Sequence, residues 1–529
     1  MKINVLPSYK EIFNEEPSSL SELLFDIPSS IVISLLSGIS ATLSTKDDLD
    51  SQIKIYQIFI SKLPEGQKKK IFDGIYPYIK LNKNNLKLFS IWTCTEFIER
   101  ELIDYREIVN DDLTSLHELR ILKAYMVVNE DLINKSKPIQ PEASTNHSSV
   151  TWPLLIKQFE FNIRVDPFYQ AVRSLLLFNL LEKDPETKQY VDQWINSFGR
   201  PSYWNYILDL IKLCEIRFSN IENQIDPKSL FIPFVIQASK DFESILEDLA
   251  NSAHYHISKQ SVSNDYIRIR DKPLFKIGDK YIVLNWDFLF NKLYNALIFS
   301  FHKNSGISKR FKNFPDFKSH IGQHFSEPIL LRKILNASFN KRHVVLMFDE
   351  RSEGIPDCYY RQGNYLFLFE FKDPLIPSKV IQNQSFEEIK NDLQLKFVVN
   401  EDNRPKGISQ LIKHIVKIDN NNFAFDSLST KKIKKRNLRI FPIIVSTNPI
   451  HSMPGTNDYL DKKFRANLDS IQLKDIDSKK VKPLTLIDLE FFFNAMIPFK
   501  EKEIKLEKLI GQYHSVCKTK KLKYKKNHL

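Results

Sequence analysis

Asp357 follows a proline in the stretch PDCYYRQGNYLFLFEFKD (356–373), and thirteen residues later Glu370 and Lys372 flank one phenylalanine at the end of an apolar run. The run is rich in Tyr, Leu and Phe and predicts a strand over 364–371. Gln362, Gly363 and Asn364 supply turn residues before it, so 357–361 form the preceding strand of a hairpin. Side chains alternate along a strand, which places Glu370 and Lys372 on one face, with Asp357 close to them across the hairpin. Two carboxylates and an ammonium at one point suit hydrolysis of a phosphodiester. Carboxylate oxygens are hard ligands for Mg²⁺, with Mn²⁺ as the substitute, and Mg²⁺ keeps several waters when bound. Such an ion polarises the phosphate and activates water, while a lysine orients that water or offsets developing charge.

The triplet acid, any residue, lysine carries little information in a lysine-rich chain. It recurs at Glu186/Lys188, Asp316/Lys318, Glu388/Lys390, Asp461/Lys463 and Glu503/Lys505. None of these ends a hydrophobic strand with an aspartate one hairpin upstream. The plain alternative for Glu370 and Lys372 is a surface ion pair at a strand end. In its context the stretch resembles the active site of the PD-(D/E)XK phosphodiesterase superfamily, which includes restriction endonucleases and many repair and defence nucleases. The resemblance covers about residues 318–447. It implies a metal-dependent nuclease in which Asp357 and Glu370 bind Mg²⁺ and Lys372 positions the attacking water. It also implies an acidic residue on the helix before the first core strand, where Glu327 matches, and a glutamine on the helix after Lys372, where Gln410 matches. Lys413, one turn on, is then a candidate phosphate contact.

The flanking patterns supply the same order of elements. Residues 320–339 have an amphipathic helical pattern, 343–349 (HVVLMFD) read as a first core strand, 406–418 as a helix and 439–446 as a further buried strand. A long insertion between Lys372 and Gly407 reads as helical over about 386–399. Glu327 precedes Pro328, so its other reading is favourable charge in a first helical turn. His320, His324 and Glu327 would share a face of a continuous helix, but Gly322 weakens that helix and satisfied or exposed histidines are the simpler reading.

Composition restricts the rest. Of 529 residues, 42% are hydrophobic, enough for packed cores and several domains. No apolar run reaches the roughly 20 residues that span a bilayer, and the first residues lack a secretory pattern, so a cytoplasmic protein without a membrane partner is expected. Cys94, Cys214, Cys358 and Cys517 are scattered without metal spacing, and Cys358 should face away from Asp357. Neither a phosphate-binding glycine loop nor a nucleophile elbow is present. The formal net charge of +12 favours a polyanionic partner. Residues 501–529 hold nine lysines against three glutamates, a net +6. Lys520, Lys521, Lys523, Lys525 and Lys526 are candidate phosphate contacts, with Tyr524 available to stack; a solubilising tail is the other reading.

The expected fold is mixed α/β: a mostly helical N-terminal half, then a restriction endonuclease-like core with a central mixed sheet. The expected division is a helical region (1–135), a linker (136–151) rich in Pro, Ser and Asn, a second helical region (152–265), a nuclease-like domain (266–500) and a basic tail (501–529). Residues 272–285 predict a hairpin turning at Gly278 and Asp279, and 483–496 a strand entering a helix. The resulting expectation is an endonuclease acting on DNA rather than RNA, in the manner of bacterial anti-phage or restriction systems. A homodimer would provide two cuts, and the N-terminal helices could dock a partner protein. The rival is a catalytically silent or partner-activated nucleic-acid-binding protein on the same core.

Overall fold

Two Asp-Pro pairs begin helices Pro167–Lys183 and Pro185–Ser197. Asp166 and Asp184 accept hydrogen bonds from the free N–H groups of each first turn, and the proline takes a position where no donor is required. The computed structural model describes residues 8–517 apart from 46, 82–86, 109–113, 136–151, 153–155, 157–165, 222–234, 238–242, 253–264, 340–342, 350–353, 384, 401, 403, 424, 427, 429–432 and 503–504. The chain divides into two units, Met1–Lys137 with Phe161–Lys309, and Pro138–Glu160 with Arg310–Leu529. The expected linker (136–151) lies outside the described residues.

The first unit is mostly helical, as expected for the N-terminal half. Its helices include Ser29–Thr45, Ile91–Ile103, Ser115–Lys135 and Tyr203–Ile221. Trp194 is fully buried, stacked on Phe178 at 5.1 Å and edge-on to Phe301 at 5.5 Å. The unit also holds a four-stranded sheet of β1 (Val235–Gln237), β2 (Ala250–Ser252), β3 (Leu274–Ile277) and β4 (Lys280–Val283), in the order β1-β4-β3-β2. The expected hairpin is β3–β4, turning through Gly278 at φ +59°. Strands β1 and β2 lie in a region read as helical. They are three residues long, too short for periodicity to reveal, and exist through pairing with β4 and β3. Residues 266–309 group with this unit and not with residues 310–529.

The second unit is built on a five-stranded mixed sheet: β5 (Val344–Phe348), β6 (Cys358–Gln362), β7 (Tyr365–Lys372), β8 (Arg439–Ser446) and β9 (Thr485–Asp488), in that order. β5, β6 and β7 are antiparallel neighbours, while β8 and β9 run parallel to β7. Gly363 makes the β6–β7 turn at φ +59°, a left-handed conformation that favours glycine. The return from β7 to β8 passes through helices Ser378–Asn383, Phe386–Phe397 and Gly407–Asp419. Gly407 lets the last of these press on the sheet. A Cβ there would stand 2.8 Å from the Phe397 carbonyl oxygen and 3.0 Å from Ile444 Cδ1.

One face of the sheet carries Tyr360, Phe367, Phe369 and Phe441. Phe492 of helix Leu489–Lys502 and Phe339 of helix Arg332–Phe339 pack there, against Phe369 and Tyr360. The other face carries Tyr359, Arg361, Glu370 and Lys372 beneath helix Gly407–Asp419. The free edge of β9 is closed by Asn457 of helix Thr456–Asp469, whose amide bonds both the N–H and the carbonyl of Leu486 in place of another strand. Trp152 belongs to this unit. It packs between Phe386 and Tyr459 and donates to the Pro454 carbonyl at 3.0 Å. Among the described residues, no helix is long and apolar enough to cross a membrane.

Candidate active site

Strand pairing brings the acidic residues together. Phe348 pairs with Cys358, and Cys358 with Phe369. Asp349 directly follows β5, Asp357 directly precedes β6 and Glu370 adjoins Phe369 in β7, so the three stand at one end of these strands. Asp357 stands just before β6, where backbone pairing ends, and its carboxylate accepts the Phe371 N–H at 2.5 Å. Cys358, the next residue, is fully buried on the opposite face, and burial pushes its thiol well up.

Glu370 is 1% exposed, and both its oxygens are held. Lys372 Nζ donates to Oε2 at 3.1 Å, and His414 Nε2 donates to Oε1 at 3.0 Å. Burial would raise this carboxyl; Lys372 and His414 outweigh it and hold it below the ordinary value. Asp357 differs. Desolvation and the neighbouring Glu370 charge push it well up, only partly opposed by Lys372 and the Phe371 N–H. Lys372 would lose its proton more easily through burial alone, but Glu370 and Asp357 reverse that and raise it. Asp357 and Glu370 thus form a pair in which a second negative charge is unwelcome unless a cation joins them.

Glu327 lies in a helical run that continues from Phe314–Ile321 through a π-helical stretch, Gly322–Leu331, into Arg332–Phe339. The helix therefore does not restart at Pro328, and Glu327 is not in a first turn. The wider π turn accommodates the proline, which cannot donate to the ladder. Burial, Asp349 and Glu370 raise the Glu327 carboxyl, against Arg332 and Lys372. Its nearest cation, Arg332, stands 4.0 Å away and also donates to the Asp349 carbonyl. The His320 and His324 rings lie 4.3 Å apart.

Gln410 and His414, four residues apart, share the face of helix Gly407–Asp419 that meets the sheet. Gln410 Oε1 is buried without a hydrogen-bond partner, as is Asp349 Oδ1. Lys413 is exposed. Lys406, at the helix start, has its ammonium disfavoured by burial and by the charges of Lys372 and Lys396, so the insertion adds cations on this side of the site. The neighbouring Asp373 is locked by Lys318 (2.6 Å), Ser326 (3.1 Å) and Thr447, which fixes the chain just beyond Lys372. Lys520, Lys521, Lys523, Lys525 and Lys526 lie outside the described residues.

Sequence reading missed Asp349 and His414. Asp349 closes the strand HVVLMFD, and its signal was the antiparallel register, which a strand assignment alone does not provide. His414 carries no signal beyond its spacing from Gln410. Among the described residues, no three His, Cys, Asp or Glu side chains stand close enough to form a ready-made metal group. The donor set nevertheless suits a hard divalent cation: adjacent carboxylates, one of them pushed up by the other, beside unpartnered oxygens of Gln410 and Asp349. Comparisons with protein-family models, with curated proteins and with solved structures found no match for this chain.

Proposed function

We propose that the second unit is a metal-dependent phosphodiesterase of the PD-(D/E)XK kind, cutting nucleic acid, with DNA favoured. The observation that carries this reading is the pair Asp357 and Glu370 at one end of β6 and β7, each charge felt by the other, with Lys372 bonded to Glu370. The order helix, β5, β6, β7, helix, β8 accords with it. Asp357 and Glu370 would hold Mg²⁺, with Glu327 and Asp349 near enough to contribute charge. A bound ion supplies a polarised phosphate and a more acidic water. The chain's own groups do the rest. Lys372 orients the nucleophile and neutralises charge on the phosphate. His414 fixes the rotamer of Glu370 by holding Oε1, and Gln410 offers an acceptor on the same side. Lys396 and Lys406 favour a polyanion approaching this face. A double-strand cut would require two such sites, supplied by a homodimer.

The test is cleavage of supercoiled plasmid, single-stranded DNA and RNA with Mg²⁺ or Mn²⁺, comparing the native chain with Asp357→Asn and Lys372→Ala. Metal-dependent cutting that both substitutions abolish is expected. Nucleic-acid binding without cutting by the native chain would favour a silent or partner-activated core.

A further inference from the structure

A cavity of about 570 Å³ opens in the second unit at the far end of β7 from Glu370. Its volume is that of a small-molecule site. Tyr365, which borders it, is five residues before Glu370 on one strand, about 17 Å away along it, and on the opposite face. The cavity is therefore separate from the Asp357–Glu370 pair.

Three kinds of group line it. The first is aromatic. Tyr365 and Phe441 stack at 6.3 Å and 29°, continuing a series of stacked rings through Phe367 (4.6 Å) and Tyr360 (5.4 Å). The second is cationic. The Arg439 guanidinium lies over the Tyr365 ring at 5.4 Å and donates to its hydroxyl at 3.1 Å. Lys482 is fixed beside the start of β8 because its N–H donates to the Ile440 carbonyl at 2.7 Å. The third is acidic: Asp458 and Asp461 come from helix Thr456–Asp469 and Glu507 from helix Leu506–Cys517, with Asp461 already accepting the Leu484 N–H at 2.8 Å.

This combination selects among ligands. A bare polyanion meets Asp458 and Glu507, and a simple cation meets Arg439 and Lys482. A ligand with an anionic group, a flat ring and several neutral donors satisfies all three. A guanidinium spread on a phenol ring both bonds an anion and stacks under a heterocycle. We propose that this cavity binds a nucleoside phosphate. Its phosphate engages Arg439 and Lys482 through charge-assisted hydrogen bonds. Its base stacks on the Arg439–Tyr365 surface, and its ribose hydroxyls or exocyclic amine donate to Asp458 and Glu507. The proposal does not depend on the second unit being a nuclease.

The experiment is calorimetric titration of the full chain with AMP, ADP and ATP in EDTA, which removes any metal-dependent binding at the Asp357–Glu370 pair. Saturable single-site binding of at least one nucleotide is expected. Arg439→Ala and Lys482→Ala should each weaken it about tenfold or more, with circular dichroism and melting unchanged, because Arg439 is exposed and Lys482 only partly buried. Asp357→Asn should leave it unaltered. Three results would overturn the proposal: no heat with any of the three at millimolar concentration, binding that survives both cavity substitutions, or binding lost in Asp357→Asn. A titration with free tyrosine distinguishes the aromatic amino acids, and uptake of tyrosine without any nucleotide also refutes it.

Discussion

Replacing Asp357 with asparagine should make the metal-free second unit more stable and the Mg²⁺-loaded unit less stable than the native one. The side chain keeps its size, and its oxygen can still accept the Phe371 N–H, so the local fold persists. What changes is charge. Residues opposed across antiparallel strands place their Cβ atoms about 5 Å apart. Two unit charges at about 5 Å, in an effective dielectric of about 20, repel by about 3 kcal/mol. Lys372 attracts Asp357 and offsets part of this, so a net gain of about 1–2 kcal/mol is expected in EDTA at pH 8. For a unit of this size that corresponds to a rise of about 2–8 °C in Tm. The sign with pH follows from the raised carboxyl. The native unit's relative stability is complete below the ordinary aspartate value and falls as pH rises through the folded one, so the variant's advantage disappears below about pH 4. Adding Mg²⁺ at about a hundred times its Kd should stabilise the native unit by about 2.7 kcal/mol and the variant much less, reversing their order. Differential scanning calorimetry with EDTA and with Mg²⁺ reads both limbs. A variant less stable than native in EDTA at pH 8, or an equal response to Mg²⁺, would refute the electrostatic reading of this pair.

Lys372→Ala should lower the cleavage rate by about a hundredfold or more while the Mg²⁺-induced rise in Tm persists, which single-turnover cleavage and calorimetry check together. His414→Ala removes one hydrogen bond to the ionised Glu370, and the cleavage rate should fall about tenfold to a hundredfold with its metal requirement intact. Arg361→Met should destabilise the second unit by about 3–5 kcal/mol in denaturant titration. It removes the guanidinium that neutralises the buried Asp426 carboxylate, which Arg361 Nη2 meets at 2.6 Å, while the Tyr359 hydroxyl still donates to it. A loss under about 1 kcal/mol, the scale of a surface pair, would show that the pair is not isolated from water.

The sequence by itself determined the hairpin that carries the candidate chemistry. Alternating apolar residues, a glycine in the turn and an acid–lysine pair at the strand end are local signals, and β6, β7 and the helices on either side lie close to where those signals put them. Binary pattern specifies which face of a strand is buried, which is why Asp357, Glu370 and Lys372 could be placed on one side and Cys358 on the other. The tertiary structure alone decided the rest. Register across β5 is a long-range pairing, so Asp349 joins Asp357 and Glu370 only once β5 meets β6. His414, and not Lys413, faces Glu370 because the helix is docked by Gly407 against Phe397 and against Ile444 of β8, the latter from a separate segment of the chain. The short strands β1 and β2 escape local propensity because their hydrogen bonds are made to β4 and β3, and no window of neighbouring residues contains those partners.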